Sequence, residues 1–375
     1  MKKLKVLLWH WGRRGGGPRY TLELARELAK DDSLSLHLSL SRQCEIYKDF
    51  ASLPIPRLDV DTYSNLKTAF MALGRLPFVR HRFWRYIAKE NFDVIVCTMS
   101  HLWNVPVLLG KRRHTPYLFV LHDAVPHPGE NFLLRHYLLR KEVNKAQGIV
   151  TLTQHVKNTL ISEYRYPETS TWVIPHGVFP YNDSAPKATN TDFRLLFFGR
   201  ILPYKGLDIL LRAHEILLGR GVNVHLHIAG PGDSSPYTEL LSKLPNIQLD
   251  NRWIAEEEIG DIFSQADLVV LPYREASQSG VIATSYATGV PVLVTPIGGL
   301  VEQVKHEISG LISKEASPEA LANDIQRLLE DPALLQQCAE GAVREARDTL
   351  AWPAIARRFS EAIHCMASRN SKGVS

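Results

Sequence analysis

The sequence predicts an α/β protein made of two successive halves, each a doubly wound parallel sheet. Three observations carry that expectation. At 375 residues the chain is too long for one ordinary core, so two domains are expected. Short apolar runs alternate with helix-length segments throughout, as in parallel sheets covered on both faces. A turn-rich stretch from Phe179 to Asp192 holds Pro180, Asn182, Asp183, Ser184, Pro186 and Asn190 and interrupts the alternation as a linker. The expected boundaries are 1–184 for the first domain, 185–350 for the second, 351–366 for a final helix and 367–375 for a disordered tail.

In the first half the expected strands are Leu4–Trp9, Leu34–Leu40, Val94–Cys97, Tyr117–Leu121, Ile149–Leu152 and Trp172–Ile174. Helical patterns fall at about 17–30, 65–89, 130–146 and 154–163. In the second half the strands are Phe193–Phe198, Val224–Ala229, Ile247–Leu249, Leu268–Leu271 and Val290–Val294. Helices follow at about 206–218, 236–244, 256–265, 280–288, 299–306, 317–330 and 332–347, and a last amphipathic segment runs from Trp352 to Met366.

Composition narrows the function. Apolar residues make up 45% and charged residues 22%, ordinary values for a globular protein. Cys44, Cys97, Cys338 and Cys365 lie far apart with no C-x-x-C pair, which argues against a zinc site or a disulfide framework and fits a reducing cytoplasm. Met1-Lys2-Lys3 resembles the start of a signal peptide, but the apolar run Leu4–Trp9 contains Lys5 and suits a first buried strand. No run approaches the roughly 20 apolar residues of a membrane span. Residues 1–185 hold 26 Lys and Arg against 16 Asp and Glu, a net of +10, and the remainder carries −5. A basic first half points to an anionic partner. Nucleic acid is disfavoured, because no recognition helix, zinc or RNA-binding signature is present.

Chemistry is expected where strands run into helices, beyond the carboxyl ends of the sheet. Residues 197–206, F-F-G-R-I-L-P-Y-K-G, are the most informative stretch. An apolar strand runs into Gly199, Arg200 and Lys205 follow five positions apart, and Gly206 opens a helix. Fixed cations beside a helix start can receive phosphate oxygens; the alternative is a helix cap with two solvated charges. The junction Trp9–Arg19 holds Gly15, Gly16 and Gly17 before a helix, where backbone can approach a phosphate closely. It is neither G-x-G-x-x-G nor a P-loop, and a flexible turn is its plain alternative. His122 and Asp123 end the strand Tyr117–Leu121, and His122 can hold a sugar hydroxyl or manage a proton, against the alternative of a structural histidine. His127 is a weaker candidate. Ile228–Asp233 forms a second strand-to-glycine turn that shapes a cleft wall. Gln278 and Ser279, with the amides of Gly280 and Val281, would point at an anion; an N-cap by Ser277 or Ser279 is the alternative. Asp59-Val60-Asp61 is a D-x-D, but it lies in an irregular stretch after two prolines, so no metal is expected there.

Together these pieces resemble the retaining glycosyltransferases of family 4, of the GT-B fold. The pattern G-R-x-x-x-x-K-G is met by Gly199, Arg200, Lys205 and Gly206, the glycine pair by Gly15 and Gly16, and the strand-end histidine by His122. Ala266-Asp267-Leu268 to Pro272 is similar to A-D-x-x-V-L-P-S. Ala287 to Val292 matches A-x-G-x-P-V, and Gly298, Gly299 and Glu302 match G-G-x-x-E. The family's two glutamates fall in register on Ala276 and Thr284, with Glu275 one residue early, and its linker asparagine is His176. The second glutamate holds ribose hydroxyls in the family, and Thr284 offers only one short hydrogen bond in its place.

The resemblance implies two doubly wound Rossmann-like domains facing across a cleft, with the last segment crossing back to the first. It implies transfer of a sugar from a nucleotide-diphosphate donor to an acceptor hydroxyl with retention. Arg200 and Lys205 would stabilise charge on the departing diphosphate, aided by the amides of Gly16, Gly280 and Val281. His122 would orient the sugar. Gly15, Gly199, Gln278, Ser279 and Thr284 complete the donor side, while Asp123, Arg13 and Arg14 belong to the acceptor side. No carboxylate stands out as a nucleophile, so displacement on the front face is expected rather than a covalent intermediate. No cofactor and no metal are expected. The basic first half suggests a sugar or lipid-linked acceptor, in cell-surface polysaccharide or glycolipid assembly. It also suggests peripheral attachment to the inner face of the cytoplasmic membrane, through the cations and aromatics between Arg75 and Tyr86; a half-buried basic helix explains them equally. A nucleotide-sugar epimerase on the same fold and a non-catalytic nucleotide-sugar-binding subunit remain the alternatives.

Overall fold

The computed structural model describes residues 3–64, 68, 71–109, 115–125, 132–181 and 193–372. The chain divides into two compact units, the first built from residues before Gly177 together with the last helix, the second from Gly177–Ala351. His127 and most of the linker, including the expected boundary at 184, lie outside the described residues.

The first unit carries seven parallel strands: β1 (Leu4–His10), β2 (Leu34–Ser41), β3 (Arg57–Val60), β4 (Val94–Cys97), β5 (Tyr117–Leu121), β6 (Gly148–Thr151) and β7 (Thr171–Val173). Their spatial order is β3-β2-β1-β4-β5-β6-β7. β1 is central, with Leu4 opposite Leu34 on one side and Val6 opposite Val94 on the other. The second unit repeats the scheme with β8 (Phe193–Phe198), β9 (Val224–Ala229), β10 (Ile247–Asp250), β11 (Leu268–Leu271), β12 (Val292–Val294) and β13 (Gly310–Ile312), ordered β10-β9-β8-β11-β12-β13. In each sheet the strand order reverses next to the first strand, between β1 and β4 and between β8 and β11. That reversal opens a crevice at the carboxyl ends, where ligands of doubly wound sheets bind.

The continuous apolar runs have a direct structural cause. Leu268 and Val270 of β11 enter one core cluster, Val269 and Leu271 the other, so both sheet faces are covered. In the first unit, Trp9, Trp11, Phe83, Tyr117 and Phe119 fill one core. Trp9 and Phe83 lie 4.7 Å apart between ring centroids.

Four expectations need correction. Residues 57–60 are not irregular: they form β3, an edge strand on β2 with Leu58 and Val60 buried. β13 pairs with β12 although the three-residue run Gly-Leu-Ile is too short to stand out. The helix expected over 65–89 is, within the described residues, helical at Thr68, Met71 and Ala72, tightens to a 3-10 turn at Leu73–Arg75 and continues as a helix at Leu76–Glu90. The last helix runs to Lys372 rather than giving way to a disordered tail at Ala367. Its extra turn is held because Met366 is buried and Arg369 donates to Thr169 O at 2.8 Å and to Ser170 Oγ at 3.0 Å.

Candidate functional site

The second unit's crevice is made by the turns after β8 and β11. β8 runs into Gly199, whose φ of 115° suits glycine and whose N–H donates to Ala229 O at 2.9 Å. Arg200 is exposed. Pro203–Lys205 form a 3-10 turn, and Gly206 (φ 65°) starts the helix Leu207–Gly219. A Cβ at Gly206 would stand 2.0 Å from Pro272 O, so the two turns touch backbone to backbone.

Side chains join the same two turns. Lys205 Nζ donates to Tyr273 OH at 2.6 Å and stands 4.1 Å from the ring centroid. Burial pushes the Tyr273 phenol well up, so the Lys205 ammonium meets a neutral hydroxyl. Arg274 donates to both carboxylate oxygens of Asp208, at 2.7 and 2.6 Å, and to Pro203 O at 3.1 Å. That pairing holds the Asp208 carboxyl below its ordinary range. The cation pair therefore sits on a turn held from three directions.

After β11 the chain reaches the helix Gly280–Ala287. Ser279 N–H donates to Gln303 Oε1 at 2.8 Å, and Gln303 Nε2 returns a bond to Ser279 O at 3.1 Å. The Ser279 side chain makes no capping bond, so the capping alternative is not realised for that residue. Gln278 Oε1 is buried with no hydrogen-bond partner among the described residues, a polar atom of the kind that a ligand donor satisfies. Thr284 is buried and its hydroxyl donates to Gly280 O at 3.1 Å, within its own helix. Ala276, at the register position of the family's first glutamate, packs into the apolar core.

The first unit's crevice follows β1, β4 and β5. Gly16 opens the helix Gly16–Leu28. Gly15 (φ 84°) donates its N–H to Glu45 Oε1 at 2.9 Å. Cβ atoms at Gly15 or Gly16 would meet nothing within 4 Å, whereas one at Gly12 would strike His10 Nε2 at 2.6 Å. Arg13 stands over the Tyr63 ring at 5.5 Å, and Arg14 is exposed. His122 is half-buried; its Nε2 donates to Thr98 O at 3.0 Å, leaving Nδ1 as an acceptor. Burial is the largest influence on His122 and lowers its pKa, which keeps the ring neutral at pH 7. Asp123 follows it, also half-buried.

Beneath His122 lies a buried network that sequence reasoning missed. His10 Nδ1 lies 3.0 Å from both Thr98 Oγ1 and Thr21 Oγ1. Burial pushes the His10 pKa down to about 3, and His101 is pushed down to about 3 by the same cause. Glu142, also buried, accepts from Asn104 Nδ2 at 2.7 Å, Tyr117 OH at 2.9 Å and the Ser100 hydroxyl. Burial raises its carboxyl to about 7. The rule that singled out His122, a histidine ending a buried strand, applies equally to His10. Nothing in the sequence pairs Tyr273 with Lys205 or Arg274 with Asp208.

The D-x-D carboxylates are engaged by protein donors: Asp59 Oδ2 by Tyr47 OH at 2.8 Å, Asp61 Oδ2 by Arg42 Nη1 at 2.9 Å.

Comparison with known proteins follows this division. Residues 14–180 match the family model "Glycosyltransferase Family 4", and residues 192–331 match "Glycosyl transferases group 1". The chain is 31% identical over 316 residues to a D-inositol 3-phosphate glycosyltransferase of Thermobispora bispora, covering 77% of this chain and 70% of the relative. It is 31% identical over 394 residues to one from Nocardioides sp., covering 92% and 84%. Among solved structures, the Anabaena HepE protein in complex with UDP-glucose aligns with a TM-score of 0.73 at 19% identity, covering 96% of this chain and 100% of that one.

Proposed function

The chain belongs to the GT-B glycosyltransferases of the family 4 and group 1 type, enzymes that use nucleotide-sugar donors, and we propose that it transfers a hexosyl group with retention. The observation that carries the reading is the Arg200–Lys205 turn. It sits at the β8/β11 crevice, with Lys205 held on a neutral phenol and the turn tied to Asp208 through Arg274. A cation fixed in place before the reaction stabilises charge that develops on the leaving diphosphate and loses nothing to reorganisation.

In this mechanism the bond between the anomeric carbon and the diphosphate oxygen breaks and its electron pair passes to the phosphate. Arg200, Lys205 and the amides of Gly280 and Val281 receive that charge. The acceptor hydroxyl bonds to the same face of the sugar, and its proton passes to the departing phosphate oxygen. Gly15, Gly16, Gly199, Gln278, Ser279 and Thr284 are assigned to the donor. In the first unit, neutral His122 offers Nδ1 to a sugar hydroxyl, and Arg13, Arg14 and Asp123 are assigned to the acceptor. The acceptor is a sugar or lipid-linked sugar of cell-surface polysaccharide or glycolipid assembly, used on the cytoplasmic side of the membrane.

Thermal unfolding with UDP-, GDP-, ADP- and TDP-sugars tests the reading. One donor class should raise the midpoint, by an amount equivalent to about 2.7 kcal/mol at a hundredfold excess over its Kd. A UDP-sugar is the first to try, given the UDP-glucose complex of the HepE protein. With that donor, nucleotide release should depend on added acceptor, and D-inositol 3-phosphate, named in the relatives, is one arm of the acceptor panel. Turnover of donor without nucleotide release would indicate an epimerase, stabilisation without turnover a binding subunit, and a trapped glycosyl adduct would overturn front-face displacement.

A further inference from the structure

We propose that the helical segment from Met71 to Glu90 is the face by which this protein docks on an anionic lipid bilayer. The purpose of such docking rests on the glycosyltransferase reading, but the charge and exposure of the face do not.

From Thr62 to Lys89 the sequence contains no Asp or Glu, while Arg75, Arg80, Arg82, Arg85 and Lys89 lie within it. The structure sorts these residues by direction. Val79, Phe83 and Ile87, four apart, are buried and fix the inward face of the helix Leu76–Glu90. Trp84 and Tyr86 also turn to the protein: Trp84 Nε1 donates to Val107 O at 2.9 Å, and Tyr86 OH lies 2.7 Å from His37 Nδ1. Three of the four aromatics in this segment therefore belong to the core or its edge, which corrects the simple interleaved reading.

What remains outside is more specific. Phe78, Arg82, Arg85 and Lys89, spaced four, three and four, share the outward stripe. Phe78 is 63% exposed, and the chain just before the helix adds Met71 at 79% and Leu73 at 49%. The Arg82 guanidinium stands 5.8 Å over the Phe78 ring, presenting charge and apolar surface together. Among the described residues, Arg75, Arg80 and Arg85 form no ion pair, and Lys89 meets Glu90 only at 3.9 Å.

A bilayer fits this combination through both of its layers. Its anionic surface complements Arg75, Arg80 and Arg85, which pair with no acidic side chain among the described residues, and its apolar interior receives Met71, Leu73 and Phe78. A nucleic acid or an acidic protein surface satisfies the charges alone.

The test is co-sedimentation with vesicles of phosphatidylcholine mixed with phosphatidylglycerol, and with phosphatidylcholine alone, at low and high salt. Donor-induced thermal stabilisation is measured in parallel. The protein should bind the mixed vesicles at low salt and release them at high salt. Each lost cation should weaken binding about fivefold, so R75Q/R82Q/R85Q should bind on the order of a hundredfold more weakly. M71S/L73S/F78S should also bind more weakly. Both triple variants should retain the parent's circular dichroism and its response to donor, since every changed residue is on the surface. No binding to mixed vesicles, equal binding to neutral ones, or unchanged binding by the cation variant would each overturn the proposal. Unchanged binding by the apolar variant would overturn the bilayer as occupant. Vesicle binding without any donor response would support the docking face and count against the glycosyltransferase reading.

Discussion

The two crevices share a topology and differ in how their glycines are used. In the second unit, added Cβ atoms at Gly206, Gly230 and Gly232 would stand 2.0, 2.2 and 2.3 Å from the carbonyl oxygens of Pro272, Gly199 and Ile201. There glycine lets backbone pack on backbone, and the product is a rigid seat for Lys205. In the first unit, Gly15 and Gly16 face open space, and the polar groups beside the crevice are titratable side chains: buried His10 and Glu142, and half-buried His101. One strand order has thus been furnished with fixed charge and close packing on one side, and with open backbone above a neutral polar network on the other. The same G-rich appearance in sequence covers both cases.

The largest expected effect falls on the fixed charge. Lys205→Ala removes a cation aimed at the leaving group and should lower kcat by on the order of 10²–10³, about 3–4 kcal/mol of transition-state stabilisation. The chain should fold normally, because the turn keeps its Arg274–Asp208 ties. Steady-state kinetics with the identified donor, together with a thermal midpoint, separates the two quantities. Near-parental turnover would show that the rigid seat serves the fold rather than the chemistry.

The second effect concerns the buried network. Glu142 has its carboxyl raised to about 7. Between its unfolded value near 4.5 and 7, the folded chain holds a proton that the unfolded chain has released. Burial of Glu142 therefore costs nothing at the acid end of that window and progressively more as pH rises through it. Glu142→Gln keeps an acceptor for Asn104 and Tyr117 without the charge. It should be more stable than the parent above pH 7, by up to about 3 kcal/mol, with the advantage vanishing toward pH 5. His10 and His101 act with the opposite sign: lowered to about 3, they withdraw stability as pH falls below 6.5. Urea unfolding at pH 5, 6, 7 and 8 reads both limbs. A constant difference between variant and parent across that range would mean that Glu142 is ionised throughout, and the contrast in furnishing would weaken.

The parts legible in the sequence are those decided by short-range pattern. The run Leu268–Leu271 reads as a buried strand because both its faces are covered, and Gly199, Arg200, Lys205 and Gly206 are consecutive features of one turn. β3 was not legible, since Arg57-Leu-Asp-Val alternates as an edge strand does and stands between prolines and a polar loop. Nor was the partner of Lys205: Tyr273 lies 68 residues away and meets it only because β8 and β11 are neighbours in the sheet. Site residues on one turn can be read from spacing; the groups that hold them depend on strand order, which spacing does not encode.

The smallest effects test the glycine contrast itself. Gly206→Ala would place Cβ against a backbone carbonyl at a φ of 65°, so neither neighbour can yield without moving a strand end. A loss of about 2 kcal/mol or more in unfolding free energy is expected. Gly16→Ala meets nothing within 4 Å and lies at the first position of a helix, where alanine restricts the unfolded chain without strain. Its stability should stay level or rise by about 0.4–1 kcal/mol. The methyl group nevertheless occupies the space through which a phosphate would approach the helix amides, so donor-induced stabilisation should fall even as the unliganded protein gains. The two responses moving in opposite directions in one variant is the signature of open backbone kept for a ligand. Gly16→Ala with an undiminished donor response would place the phosphate elsewhere and leave Gly15 and Gly16 as an ordinary turn.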